Sequence, residues 1–160
     1  MISIHDLADS WASIYSNSAF IRSGIAFAHV GGLVGGGGCA IAADRRTLRA
    51  YRGDAARLAD EVEHLHGVHR VVLIGLAAVV VSGVLLMFAD LDAYLASTAF
   101  WVKMALVAAL FFNGGILVRS SGLAHDGNHQ GRVMLRRAAI ASLVLWFLTT
   151  LIGTALPNVL

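Results

Sequence analysis

His29 is the residue of this chain whose type and position most directly suggest chemistry. It lies in residues 24–43, an apolar stretch with no Asp, Glu, Lys or Arg. An ionisable side chain at membrane depth is costly, and it usually faces a bundle interior or a functional site. Imidazole is a common axial ligand of haem iron. His29 is therefore a candidate haem ligand, and its alternative role is a hydrogen bond to a serine or a backbone carbonyl.

Lys103 and Met104 are predicted to lie at the same depth as His29. With a rise of about 1.5 Å per helical residue, all three fall about 6–8 Å inside the outer end of their helices. A thioether is a possible sixth ligand of haem iron. The ammonium of Lys103 or the guanidinium of Arg22 is suited to a haem propionate. Both cations could instead extend to the membrane interface.

Glycines cluster on the same predicted helix as His29. Gly32 and Gly36 follow it by three and seven positions, so they share its face and would leave room for a porphyrin. The same residues form small-x3-small patterns, which bring transmembrane helices together. The sequence leaves both interpretations open.

A second group of candidates lies on the predicted cytoplasmic side. Five imidazoles there could bind a divalent transition metal such as copper, although their spacing is loose: His64, His66, His69, His125 and His129. Arg70, at the mouth of the second apolar stretch, is a further candidate propionate partner. Asp44, beside two arginines, is interpreted as part of an interfacial ion pair.

Four apolar stretches determine the class of protein. The chain is 58% hydrophobic and 14% charged, whereas a soluble domain has roughly 25% charged residues. A bilayer core requires about 20 helical residues, and four stretches reach 19 or 20: residues 24–43, 71–89, 99–118 and 138–156. We predict an all-α, four-helix transmembrane bundle that forms one membrane domain over residues 1–160. Residues 3–20 are predicted to be an interfacial amphipathic helix, and residues 120–131 a mobile loop.

Basic residues predict the orientation of this bundle. Ten of the 12 Lys and Arg lie in the two connections on one side: Arg45, Arg46, Arg49, Arg52, Arg57, Arg70, Arg119, Arg132, Arg136 and Arg137. The positive-inside rule makes that side cytoplasmic and both termini periplasmic. The small net charge of +2 hides this asymmetry, and the basic residues are explained by orientation in the membrane, so nucleic-acid binding is not predicted. The expected location is a bacterial inner membrane, with the lipid bilayer as the main partner.

Residues 18–118 resemble a loose group of small bacterial four-helix inner-membrane proteins. The group includes b-type-cytochrome-like families, the copper-resistance D-like domain and, more distantly, HemJ-type protoporphyrinogen oxidases. The shared pattern is a His before small residues in helix one, a basic residue opening helix two, a Ser-Gly pair, and an aromatic-x-x-Lys plus Asn in helix three: His29, Arg70, Ser82, Gly83, Phe100, Lys103 and Asn113. The resemblance implies haem binding through His29. The chain departs from bis-histidine cytochromes because helices two to four contain no second mid-membrane His.

Together these patterns favour a haem b-binding membrane protein that transfers electrons or serves as a haem-bearing subunit of a redox complex. The predicted cofactor-binding set is His29, Met104, Lys103, Arg22, Arg70, Gly32 and Gly36, with His29 as the metal ligand. Two alternatives remain: a cofactor-free accessory or assembly subunit, and a copper-handling protein. A homo-oligomer or membership of a larger complex is expected. The sequence does not indicate an enzymatic reaction.

Overall fold

The protein, in a computed structural model, is helical along nearly all of the chain that the structure describes, which is residues 3–51 and 55–158. The side chains of residues 52–66 and 157 are outside that description. In chain order the elements are α1 Ile4–Asn17, α2 Ala19–Gly32, a π-helical turn Leu33–Gly37, α3 Gly38–Ala50, α4 Ala55–Ala89, α5 Leu91–Ala96, α6 Thr98–His125, α7 His129–Ala155 and a final 3-10 turn Leu156–Asn158.

Four helical segments of the described chain are long and apolar enough to cross a membrane: Ala19–Ala50, Gly67–Ala89, Thr98–His125 and His129–Ala155. This confirms the predicted all-α bundle with four spans. All four helices are longer than their predicted spans, because they continue beyond the apolar stretches into charged and polar sequence. The end of the bundle that carries residues 3–18 and 156–158 is called the termini end below, and the other is called the arginine-rich end.

The predicted amphipathic helix is α1, which lies at the termini end. A reciprocal capping box begins it: Ser3 Oγ accepts from the Asp6 N–H, and the Asp6 carboxylate accepts from the Ser3 N–H at 2.7 Å. These bonds favour the ionised carboxylate and hold the pKa of Asp6 below its ordinary value. Trp11 Nε1 donates to the carbonyl of Leu85 at 2.8 Å. This bond ties α1 to the end of α4.

The first and second spans cross at glycines. A Cβ atom added at Gly75 would lie 2.5 Å from the Cα of Gly36 and 2.9 Å from the carbonyl oxygen of Gly32. Only glycine permits two backbones to approach this closely. The π-helical turn lies at the same crossing, and π-turns of this kind occur inside α-helices as local bulges. The crossing fixes how α2, which carries His29, faces α4.

The prediction of a mobile loop over residues 120–131 is wrong. Helix α6 continues to His125 and α7 begins at His129, so the connection has only three residues. Ser120 and Ser121 donate their hydroxyl protons to carbonyls three residues earlier, which satisfies them inside the helix. Gly127 turns the chain with a φ of 78°, and Gly131 lets α7 pack directly on the α6 backbone. The glycines thus form a tight helical hairpin.

Packing differs between the two ends of the bundle. Helix α3 packs on both α4 and α7, and Trp146 of α7 covers Gly37, the last residue of the π-helical turn before α3. Asn113 Nδ2 donates to the carbonyl of Ala138 and joins α6 to α7 at 3.0 Å. By contrast, α2 packs on α4 and α1 and makes at most marginal contact with α6 and α7. The helices are therefore closer together toward the arginine-rich end.

Candidate functional site

The imidazole of His29 is held by a hydrogen-bonded chain that runs into α4. Its Nδ1 lies 2.9 Å from Ser82 Oγ, and Ser82 is buried. The Ser82 hydroxyl also contacts the carbonyl oxygens of Ala78 and, at 3.2 Å, Val79. A carbonyl can only accept, so the single hydroxyl proton points to the α4 backbone. We therefore assign Nδ1 of His29 as the donor to Ser82, and this assignment places the lone pair of the ring on Nε2.

The rest of the imidazole environment is also supplied by α4. A Cβ added at Gly83 would lie 3.4 Å from Cε1 of His29, so the ring edge lies directly over this glycine. His29 is half-buried and lies in the half of the first span nearer the termini end. The Ser82-Gly83 pair therefore has two distinct effects: Ser82 fixes the tautomer, and Gly83 leaves space for the ring.

Lys103 is at the same level of the bundle as His29. Its side chain extends across α7, where Nζ lies 3.4 Å from the position of a Cβ added at Gly153. The ammonium is near enough to interact electrostatically with His29. We call His29, Ser82, Lys103 and Gly153 the His29 layer. One turn deeper on α7, the hydroxyl of Thr149 is buried and has no hydrogen-bond partner among the described residues.

Three other predicted site residues lie away from this layer. Met104 is 42% exposed on the outside of the bundle, since it is rotated by about 100° from Lys103 on the same helix. The guanidinium of Arg22 donates to the carbonyls of Tyr15 and Ser16 and so caps the end of α1. Arg70 is exposed and precedes Ser82 by twelve residues, about 18 Å along α4. The structure does not bring these side chains to the imidazole.

The two glycines predicted to make room for a porphyrin have a different neighbour. A Cβ on Gly32 would lie 2.7 Å from the carbonyl oxygen of Gly75, and a Cβ on Gly36 would lie 3.0 Å from the Cα of Gly75. The space beside them is filled by the α4 backbone, because this is where the two spans cross. In this structure Gly32 and Gly36 serve helix packing, and they provide no open face for a flat ligand.

No family model, curated protein or solved structure matches the chain.

The histidines predicted for copper do not form a cluster in the described part of the chain. No group of three or more His, Cys, Asp or Glu side chains described by the structure is arranged to hold a metal ion. His125 lies 3.5 Å from the carboxylate of Asp126, and His129 is exposed at the start of α7. His69 lines a cavity between helices. The side chains of His64 and His66 lie outside the described residues.

The structure also reveals a polar site that the sequence interpretation missed. Asp44 is predicted to form an interfacial ion pair, but it is only 5% exposed and faces the bundle interior. Its neighbours Arg45 and Arg46 are exposed, and no ion pair to Asp44 is present among the described side chains. Ala40 and Thr47, four residues before and three after Asp44, are also buried. That helical spacing of small residues is the signal that could have placed Asp44 on the inner face.

The donor set of the His29 layer suits one axial ligand of haem iron. A ligating histidine normally donates its other ring N–H to a fixed acceptor, which sets the tautomer and orients the ring. Ser82 is such an acceptor. Lys103 supplies one cation for a carboxylate at the same level, and the buried Thr149 hydroxyl adds an unused polar group one turn away. No second axial ligand comes from Met104 in this arrangement.

Proposed function

We propose that the protein is a b-type haem protein of the membrane, with His29 as the axial ligand through Nε2. The observation that carries this proposal is the chain from His29 Nδ1 through the Ser82 hydroxyl to the α4 backbone. It leaves a basic nitrogen at membrane depth on a ring of fixed orientation. The same bond also joins α2 to α4, so it fulfils the alternative role of His29 as an interhelical hydrogen-bonding group.

Lys103 would hold a haem propionate, and His29 would be the only axial ligand supplied by the described side chains. The marginal contact of α2 with α6 and α7 favours a cofactor at this level of the bundle. A haem bound by one imidazole supplies one-electron redox chemistry and an open coordination position. The protein would then act in electron transfer or as a haem-bearing subunit of a membrane redox complex.

A reduced-minus-oxidised optical spectrum tests this proposal directly. We expect protein purified from haem-replete cells to show a Soret band and a reduced α-band, and we expect the His29→Ala variant to lose both. The matched control is His125→Ala, which removes an exposed imidazole near the opposite end of α6 and should keep the full spectrum. The variants should insert equally, because His29→Ala leaves the apolar span intact. A colourless wild-type protein would refute the haem proposal.

An exposed stripe on the first span supports the second candidate, an accessory subunit that works through helix contacts. Six small residues recur there at alternating spacings of four and three, and all are exposed: Gly24, Ala28, Gly31, Gly35, Gly38 and Ala42. Such a stripe lets a further helix pack closely. A homo-oligomer or a larger complex would use this face, and Gly31→Leu with Gly35→Leu should then disrupt it. A colourless protein whose oligomeric mass falls in this double variant would favour the accessory role.

We further propose that the membrane is a bacterial inner membrane and that the termini end is periplasmic. The proposal depends on the ten basic residues on the other side. In a Cys39→Ala background, a cysteine introduced at Ser10 should react with an impermeant thiol reagent in intact cells. A cysteine at Asp126 should react only after lysis. The reverse pattern would overturn the proposed orientation.

A further inference from the structure

A cavity of about 260 Å³ lies among α3, α4, α6 and α7, on the side of the bundle nearer the arginine-rich end. Its walls are mostly apolar and include the aromatic rings of Phe111 and Trp146. Its polar lining is limited to four side chains, which are Asp44, Thr47, His69 and Ser142. An apolar cavity of about 150 Å³ already binds benzene. This cavity is therefore large enough for a substituted aromatic ring.

Asp44 is the polar side chain of this cavity whose hydrogen bonding is incomplete. The side chain of Ser142 is within hydrogen-bonding reach of the carboxyl group, but Oδ2 is fully buried and has no partner among the described residues. A buried carboxyl oxygen without a partner is costly, because it has lost its contact with water and gained no hydrogen bond in exchange. Asp44 lines the cavity, so a molecule inside it could supply the missing donor.

The route into the cavity leads through the lipid-facing surface. Leu73 of α4 and Phe111 and Val118 of α6 line the cavity, yet they are 58%, 47% and 54% exposed. Side chains that both line a cavity and face outward mark its opening, which here lies between α4 and α6. Because both helices are membrane spans, a molecule that enters this way must dissolve in the bilayer.

We infer that this cavity binds a small membrane-soluble molecule with an aromatic body and one hydroxyl donor, as in a phenol or a quinol. The hydroxyl would donate to Oδ2 of Asp44, and the ring would lie among the apolar walls with Phe111 and Trp146. A hydroxyl fits this group because it both donates and accepts, so it can pair with either the ionised or the protonated carboxyl, whereas an ammonium group can only donate. Thr47 and Ser142 offer further hydroxyls to a second polar substituent.

This site is separate from the His29 layer. Asp44 follows His29 by fifteen residues, about 22 Å along the helical segments of the first span. The inference therefore does not depend on the proposed haem, and its test has a readout that haem content does not affect.

The experiment uses two probes that differ only in the donor, 4-propylphenol and its methyl ether 4-propylanisole. The full-length protein in detergent micelles is photolabelled with a diazirine-bearing 4-alkylphenol, and labelled peptides are mapped by mass spectrometry. Each probe then competes at matched mole fractions in the micelle. We expect labelling of lining residues of α4 and α6, with 4-propylphenol competing at about tenfold lower concentration than the ether, because only the phenol can satisfy Oδ2.

Variants then assign this difference to Asp44. Asp44→Leu should abolish the advantage of the phenol, whereas Asp44→Asn should retain most of it because an amide oxygen still accepts. Asp126→Asn, an exposed change at the same end of the bundle, should leave it unchanged. Equal competition by the two probes in the wild type would overturn the inference and indicate a space filled by lipid chains. Labelling outside the cavity, or an advantage that persists in Asp44→Leu, would also overturn it.

Discussion

The His29 layer and the Asp44 cavity each contain an ionisable side chain inside the bundle, but their surroundings differ. His29 is half-buried on a helix that hardly touches α6 and α7, and its Nδ1 lies 2.9 Å from Ser82 Oγ. Asp44 lies on the continuation of the same span, where the helices enclose it, and its Oδ2 has no partner among the described residues. One side chain has a hydrogen-bond partner in the protein, while the other has an oxygen without one.

This difference separates two ways in which a membrane protein can prepare a ligand site. In the His29 layer the protein orients an imidazole through Ser82, which suits the coordination of a metal that we propose. In the Asp44 cavity the protein provides a shaped apolar space with one unsatisfied acceptor, which suits an organic molecule with a donor. The glycine crossing at Gly75 lies between the two sites and holds the spans that carry them.

The largest expected effect comes from breaking that crossing. Gly75→Ala places a methyl group 2.5 Å from the Cα of Gly36. The contact is with backbone, so it can be relieved only by moving the two helices apart. We expect the free energy of unfolding to fall by about 3 kcal/mol, at the upper end of the usual cost of overpacking. Denaturant unfolding of the purified protein in detergent measures this.

Gly122→Ala is the matched control for the crossing. Gly122 is exposed within α6 and a Cβ there has no neighbour within 4 Å, so this change should be neutral or slightly stabilising, as alanine favours helix over glycine. Equal destabilisation by the two changes would show that the close approach at Gly75 does not hold the spans together.

A smaller effect is expected from Ser82→Ala, which tests whether Ser82 orients His29 for haem binding. Removing a partner of a ligating histidine typically weakens metal binding by about 10–100-fold. We expect a loss of haem affinity in that range, measured by haem transfer to an apoprotein acceptor. Thr150→Ala removes a similar hydroxyl, which donates to the carbonyl of Trp146, and should not change affinity. An unaltered affinity in Ser82→Ala would contradict the assigned tautomer.

The smallest effect is expected from Asp44→Leu, which should raise the free energy of unfolding, whereas Gly75→Ala should lower it. Replacing a buried carboxyl that lacks a donor with an apolar side chain removes a desolvation cost. We expect the protein to be stabilised by about 1 kcal/mol in the absence of added ligand. Asp126→Leu at an exposed position is the comparison and should change stability little. Destabilisation by Asp44→Leu would mean that the Asp44 carboxyl stabilises the fold, and it would contradict the view that this group lacks a partner in the empty cavity.

The sequence was sufficient to predict the architecture, because span length and hydrophobicity follow directly from the bilayer. It also placed His29 and Lys103 at one depth by counting residues. It could not show which face of each helix packs inward. Gly32 and Gly36 share a face with His29, but only the fold reveals that the Gly75 backbone fills the space beside them. Asp44 was misplaced for a similar reason, since the adjacent arginines suggested an interface and the rotation of α3 turns the carboxyl inward.

Residues 120–131 show a second limit of prediction from sequence, which concerns loops. Gly, Ser and Asn usually indicate a loop, but their effect depends on where the helices meet. Here Gly131 permits close packing, and the serine hydroxyls are satisfied by the helix itself. Tertiary contact outweighs local propensity at such positions. A pattern of residue types alone cannot distinguish a flexible connection from a tight helical hairpin.

The most direct test of whether His29 is the axial ligand of a haem is to remove its side chain and add free imidazole in its place. His29→Gly removes the ligand and leaves space beside Ser82 and Gly83 for a small molecule. We expect this variant to lack the reduced α-band of the wild type, and we expect added imidazole, but not added benzene, to restore it. A wild-type spectrum in His29→Gly without imidazole, or no haem spectrum in the wild-type protein, would refute axial ligation by His29.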